Sequence, residues 1–329
     1  MKFSKNALQI EAAAETERMI QALRHTVHHV MKRRGAVVGI SGGIDSSVVL
    51  AVSVKAFGPN RVVALILPEK DSSPDSERLA QDLARTFGVT PIVENLTAAL
   101  EGFGCYRRRD EAIRRVFPEY DAAVGYRAKI VLPQNLLDEG SLNVFSVTII
   151  TPKGETLTKP LPLREMLQIV AASNFKQRSR TAMLYYHAEV NNYAVMGTAN
   201  KNEHDQGFFV KYGDSGIDVK TIGHLYKTQV YQLAKHLGVP EEIQKRPPTT
   251  DTYSAPCTQE EFFFRLPFQT MDLLWYAMEQ QVPVTEVAQV MGLTEPQVER
   301  VYQDFRVKYR TTEYLRLAPV GIGPGEVAH

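Results

Sequence analysis

Ala36-Val-Val-Gly-Ile-Ser-Gly-Gly-Ile-Asp-Ser-Ser47 decides how the rest of the chain is read. A short apolar run ends in a glycine pair and a hydroxyl-rich helix start, which is the order strand, tight turn, helix. Gly42 and Gly43 let the backbone turn sharply and approach an anion with no Cβ in the way. Ser46 and Ser47 lie at the start of the helix running through Val48 to Phe57, so free N–H groups and a positive dipole end face that anion. A bare carboxylate at Asp45 would repel phosphates unless it held a divalent cation. Ser41 to Ser46 would also serve as a ligand-free, N-capped turn in any α/β protein. The run differs from a Walker A loop, which needs a lysine and a hydroxyl after its last glycine.

Working outward, Arg61 to Leu67 is a second β-branched run closed by Pro68, Ser76 to Phe87 a helix stopped by Gly88, and Pro91 to Glu94 a third strand candidate. This alternation predicts an α/β fold: an open, mostly parallel sheet flanked by helices, with the glycine loop at the carboxyl end of its first strand. Upstream, Met19, Ile20, Leu23, Val27, Val30 and Met31 recur at helical spacing, giving an amphipathic helix that ends at Gly35. His25 and His29 sit one turn apart on it and, with no third ligand in view, read as a solvated face. Downstream, Tyr106-Arg-Arg-Arg109 and Arg114-Arg115 read as a solvated helix face rather than a phosphate contact. Leu142 to Ile150 and Thr156 to Lys159 then alternate around Pro152-Lys-Gly154 as a β-hairpin. Leu163 to Val170 and Arg178 to Asn191 read as helices, Tyr193 to Gly197 as a buried strand, and Lys227 to Leu237 as a helix stopped by Gly238. Val284 to Phe305 has the spacing of a helix-turn-helix. Glu295 and Glu299 stand where phosphate-contacting residues would be wanted, so the segment reads as a helical hairpin finishing the fold.

Composition narrows the function classes. The 329 residues are 44% hydrophobic and 23% charged, an ordinary soluble globule with enough chain for a sizeable core. Lys plus Arg (38) nearly cancels Asp plus Glu (37), so no global positive field exists to hold nucleic acid. No apolar run approaches membrane-spanning length, and the acidic start (Glu11, Glu15, Glu17) argues against a signal peptide. Cys105 and Cys257 are far apart, encode neither a disulfide framework nor a zinc site, and fit reduced thiols in a cytoplasmic protein.

Ser-Gly-Gly-x-Asp-Ser resembles the loop of the N-type ATP pyrophosphatases, which cleave ATP between its α and β phosphates. A second dense run then resembles the NAD synthetase family closely. It comprises Asn174-Phe-Lys-Gln-Arg-Ser-Arg180, Gly197-Thr-Ala-Asn-Lys-Asn-Glu203, Gly207-Phe-Phe-Val-Lys-Tyr-Gly-Asp-Ser-Gly-Ile-Asp218, His224-Leu-Tyr-Lys-Thr-Gln-Val230 and Pro247-Pro-Thr-Thr250. Several motifs in register are more specific than one glycine loop. The resemblance implies one synthetase domain over 1–329, with an insertion at 103–162 and a helical C-terminal part at 260–329.

It also implies roles by position. Ser41, Gly42, Gly43, Asp45, Ser46 and Ser47 would cradle the departing phosphates of ATP, with Thr198 and Thr249 as further ATP contacts and Lys227 neutralising phosphate charge. Asp45 and Glu203 would hold Mg²⁺, an oxygen-only set suited to that hard ion. Arg178, Lys211 and Asp218 would contact the dinucleotide substrate, deamido-NAD, and Lys211 would also face the developing oxyanion. Asp45, Glu203, Lys211 and Lys227 are thus the catalytic set. The implied reaction is ATP-dependent amidation through an acyl adenylate, releasing AMP and pyrophosphate, in a homodimer using free ammonia or a separate glutaminase. Thr312-Glu-Tyr-Leu-Arg316 departs from the family, which usually shows a His-Lys pair where Tyr314 and Leu315 stand. That departure keeps open a same-fold amide ligase acting on another carboxylate, such as the mononucleotide or a specialised metabolite. Binding of DNA through the 284–305 segment is a third alternative.

Overall fold

The structure is a computed structural model, and it describes residues 3–132, 136–137, 145–249 and 252–321. Helix α1 (Ala12–Arg24) continues as a π-helical turn to Val30 and leads into β1 (Ala36–Gly39). From there the chain alternates as predicted: α2 (Ile44–Phe57), β2 (Val62–Ile66), α3 (Pro74–Thr86) and the two-residue β3 (Ile92–Val93). After the intervening segment it returns as β7 (Ala194–Gly197), α7 (Lys201–Gln206), β8 (Val219–Lys220), α8 (Lys227–Leu237) and α9 (Glu241–Lys245).

These five strands form one sheet in the order β3-β2-β1-β7-β8, and all pairs are parallel. The chain steps from β1 outward to β3 and later re-enters on the other side of β1. The strand order therefore reverses between β1 and β7, the crevice at which open α/β sheets hold ligands. Both faces are covered, as β1 shows by alternation. Ala36 and Val38 pack among α1, α2 and α8, while Val37 packs with Leu65, Val195 and the flank of α6 (Leu163–Asn191).

The segment between β3 and α6 carries two short helices, α4 (Thr97–Gly102) and α5 (Cys105–Val116), and a small antiparallel sheet. The predicted hairpin is present as β5 (Ser146–Ile150) and β6 (Thr156–Pro160), while residues 142–144 lie outside the described residues. An unanticipated strand, β4 (Arg127–Val131), pairs with β5 to make three. Ile113, Phe117, Tyr120, Ile130, Val147 and Ile149 seal it against α5 and α6. The C-terminal part is helical, with α10 (Phe268–Glu279), α11 (Val284–Met291), α12 (Glu295–Thr311) and the single turn α13 (Glu313–Arg316). Its core is aromatic, with Phe264, Phe268, Trp275, Tyr302 and Phe305 buried together. Val287 and Val298 face inward, so the helix-turn-helix-like spacing serves packing.

Two sequence readings are corrected. The helices expected at Leu163 to Val170 and Arg178 to Asn191 are one 29-residue helix, because nothing between Ala171 and Gln177 breaks it. The arginine cluster is solvated only in part. Arg107, Arg108, Arg114 and Arg115 are exposed, but Arg109 is buried and ion-paired, since α5 turns that side chain toward α6.

Leu65, fully buried in β2, anchors the sheet face under α6. Leu65→Ala is expected to cost about 2–5 kcal/mol, read as a lower urea midpoint at unchanged slope. Val93→Ala, on an edge strand and 44% exposed, is expected to change stability by less than about 1 kcal/mol.

Candidate functional site

The glycine loop leaves β1 and enters α2 at the crevice. Gly42 sits at φ +70°, and a Cβ there would fall 2.8 Å from the Ser76 carbonyl and from Leu79 Cβ, so only glycine lets the loop pass over the start of α3. Gly43 is the N-cap of α2 and no side chain caps it, leaving the first-turn N–H groups facing the crevice. Ser46 and Ser47 turn their hydroxyls inward and donate to Gly43 O at 3.0 and 2.8 Å. In this structure they brace the turn.

Asp45 meets Lys227 across the crevice. Lys227 is the first residue of α8 and has no exposed surface, and its Nζ donates to Asp45 Oδ2. Burial alone would lower the lysine pKa, but Asp45 and then Glu203 more than offset it, and the ammonium is held above its ordinary range. The start of α8 is fixed in turn by Asp272 on α10, which accepts from Thr228 N at 2.7 Å and from Asn202 Nδ2.

Glu203 arrives from the loop after β7. Asn200 caps α7 in a capping box: Glu203 N donates to Asn200 Oδ1 at 3.1 Å, and Asn200 N donates to Glu203 Oε2 at 3.1 Å. Asn200 Nδ2 also donates to Asp45 Oδ1 at 3.1 Å, so one residue links both carboxylates, Glu203 through its backbone N–H and Asp45 through its side chain. Burial, reinforced by the nearby negative charge of Asp45, pushes the Glu203 carboxyl well above the usual carboxylate range. Its other oxygen accepts from Gln259 Nε2 at 3.0 Å.

The structure thus brings together Asp45, Glu203 and Lys227 beside the glycine loop. Thr198 lies half-buried in the loop after β7, and Thr249 forms an isolated antiparallel bridge with Thr258, while Thr250 lies outside the described residues. Arg178 Nε donates to Lys211 O at 3.2 Å, which joins two of the three predicted dinucleotide contacts. Lys211 Nζ is held by the C-terminal segment, donating to Tyr314 O at 3.0 Å and Leu317 O at 2.8 Å. Asp218 is engaged with β7 and α6, accepting from Val195 N at 2.8 Å and Tyr185 OH at 3.0 Å. Asn200, Gln259 and Asp272 were not among the residues read from sequence. Asn200-x-x-Glu203 is itself a capping-box signature and could have been found, whereas nothing in the sequence marks Gln259 or Asp272.

Among the described residues no three His, Cys, Asp or Glu side chains converge as a metal cluster. Two carboxylates still suit Mg²⁺, which keeps waters and phosphate oxygens as its other ligands. Gln259 Oε1, buried and without a hydrogen-bond partner among the described residues, adds a further oxygen beside Glu203.

The NAD synthase family model matches residues 15–114 and 134–319. The chain belongs to the NAD synthase family. The NH(3)-dependent NAD(+) synthetase of Mesorhizobium japonicum is 49% identical over 313 residues, 95% of this chain and 97% of that protein. The corresponding protein of Rhizobium rhizogenes is 47% identical over 321 residues, covering 98% and 96%. Family membership makes the chain a ligase. The fold agrees with the NH3-dependent NAD synthetase structure from Campylobacter jejuni, at a TM-score of 0.61 and 19% identity over 95% of this chain and 100% of that one. The 115–133 stretch between the two family-matched blocks falls inside the expected insertion and contains β4.

Burial pushes the Asp272 carboxyl up to about 6, against the opposing hydrogen bonds from Thr228 and Asn202. A folded pKa above the ordinary 3.8 means that its stabilising contribution is present below pH 4 and is lost as pH rises through 6. Asp272→Asn is therefore expected to remove about 2 kcal/mol of pH-dependent stability loss between pH 4 and 7, seen by comparing urea midpoints of the two proteins across that range.

Proposed function

We propose that this protein amidates nicotinic acid adenine dinucleotide to NAD, using ATP and ammonia and releasing AMP and pyrophosphate. The observation that carries this reading is the Asp45–Lys227 pair with Glu203, set at the strand-order switch beside an uncapped helix N-terminus, in a chain 47–49% identical to NH(3)-dependent NAD(+) synthetases.

The phosphates of ATP would lie on the α2 N-terminus, where Gly42 and Gly43 leave backbone N–H groups accessible. The nicotinate carboxylate attacks the α-phosphorus, pyrophosphate leaves, and an acyl adenylate forms. Lys227 is already desolvated and charged, so it can stabilise the leaving pyrophosphate with little reorganisation. Asp45 and Glu203 would hold Mg²⁺, which supplies charge neutralisation on the phosphates. Ammonia then attacks the acyl carbonyl and AMP departs with the C–O bond electrons. No protein nucleophile is needed. Lys211, with Arg178 beside it, would bind the dinucleotide after exchanging its contacts with Tyr314 and Leu317.

Free ammonia is the nitrogen source in this reading, and the cytoplasm is the compartment, which suits two free cysteines. Among the described residues no helix is long and apolar enough to cross a membrane. A homodimer is also part of it, supported by Leu163, Leu167, Tyr186 and Val190 standing exposed along α6.

Purified protein given ATP, Mg²⁺ and ammonium is expected to release AMP only when the dinucleotide is present. AMP release that is independent of it, or that responds better to the mononucleotide or another carboxylate, would overturn the substrate assignment. Lys227→Met is expected to lower kcat by about 100-fold or more at unchanged secondary structure by circular dichroism. Sedimentation is expected at the mass of two chains, moving toward one chain in Tyr186→Glu/Val190→Glu.

A further inference from the structure

Lys176 has no role assigned to it in the Asn174 to Arg180 run, yet it lies in the middle of α6 with 1% of its surface exposed. Its ammonium has three protons to donate and uses all of them, to Glu69 Oε1 at 3.0 Å, Asp71 Oδ2 at 2.5 Å and Thr252 O at 3.0 Å. Around it the set is closed. Tyr106 OH donates to Glu69 Oε2 at 2.7 Å, and Arg109 pairs with Asp71 and, through Nε, with Asp110 at 2.8 Å. The Glu69 and Asp71 side chains are 0% and 7% exposed. Lys176 and Arg109 hold Asp71 below its ordinary range despite the opposing effect of burial.

Buried ion pairs are poor sources of stability, because desolvation cancels much of their attraction. What such a set does well is fix the relative placement of the elements that supply it. Glu69 and Asp71 belong to the loop after β2, the neighbour of β1, and Thr252 stands three residues beyond Thr249. The segment containing Thr252 reaches the site at two further points. Arg246 Nη2 donates to Ser76 Oγ at 2.9 Å, beside the close approach of Gly42, and Gln259 holds Glu203 at 3.0 Å. One buried cation therefore joins the loop after β2 to a segment that touches Ser76 at the start of α3 and Glu203.

We propose that Lys176 is a positioning residue for nucleotide binding, pinning the segment that carries Thr249 against the loop after β2 and so setting the width of the ATP cleft. The inference rests on the reading that ATP lies at the glycine loop. Because the clamp acts before chemistry, its loss weakens ATP capture and leaves turnover of bound ATP nearly intact.

Two variants separate positioning from simple stability. Lys176→Met leaves Glu69 and Asp71 short of a cation and is expected to lower Tm. Glu69→Gln/Lys176→Met removes one negative charge with the positive one, and is expected to recover most of that Tm. In the double variant the KM for ATP is nevertheless expected to rise about tenfold, with kcat within about threefold and the KM for the dinucleotide unchanged. Amide hydrogen exchange over 252–259, measured on the full chain without substrates, is expected to speed up in the same variant. A double variant with wild-type exchange over 252–259, or with faster exchange and a wild-type KM for ATP, would overturn the proposal. The exchange measurement needs no nucleotide, so failure of the ATP reading, seen as absence of AMP release by the wild-type protein, is distinguishable from failure of the clamp.

Discussion

A lysine with no exposed surface can keep its charge only beside an anion, and the Lys227–Asp45 pair meets that requirement at the centre of the molecule. Asp45 lies in the first turn of α2, directly after β1, and Lys227 begins α8, directly after β8 and its loop. The pair ties the two sides of the strand-order reversal together at their carboxyl ends. Its neighbours exist to hold it there. Asp272 caps the helix that presents Lys227, and Asn200 braces Asp45 while orienting Glu203. The local negative charge exceeds the positive by one carboxylate, and Glu203 responds with a raised pKa. One excess negative charge suits a bound cation, the role proposed above for Mg²⁺.

The C-terminal departure from the family takes on a different meaning in three dimensions. Tyr314 and Leu315 replace the side chains expected there, but the observed link to Lys211 runs through the carbonyls of Tyr314 and Leu317. Backbone carbonyls are supplied by any residue, so this contact does not depend on which side chains stand at 314 and 315. The Tyr314 ring adds a cation–π contact, with the Lys211 ammonium 4.3 Å from its centroid. Arg316 secures the same turn by donating to Asp205 O at 3.1 Å.

Legibility followed periodicity. The apolar repeat and Gly238 stop of Lys227 to Leu237 define α8 to the residue, and the bounds expected for β2 and β7 lie within one residue of the observed ends. The continuous α6 was split in reading because its middle turns are polar. Among them Lys176 faces a buried charge network rather than solvent, a distinction that no helical repeat carries. Arg109 is, for the same reason, indistinguishable in sequence from its exposed neighbours Arg107 and Arg108. β4 was missed because its pairing partner lies across the 133–145 stretch, and strand pairing is a non-local property.

The sequence by itself determined the chemistry of the parts: a glycine turn that only glycine can make, an acid in the first turn of each of two post-strand helices, a lysine at a helix start, and the alternation that makes a parallel sheet. Those follow from local sterics, hydrogen-bond capping and periodicity, which act over a few residues. Tertiary structure alone decided which charges meet. Lys227 reaches Asp45 across 182 positions of chain, Gln259 reaches Glu203 across 56, and Lys176 reaches Glu69 across 107. Those encounters depend on strand order and helix rotation, and burial then turns each one into a constraint, because a desolvated charge tolerates no vacancy beside it.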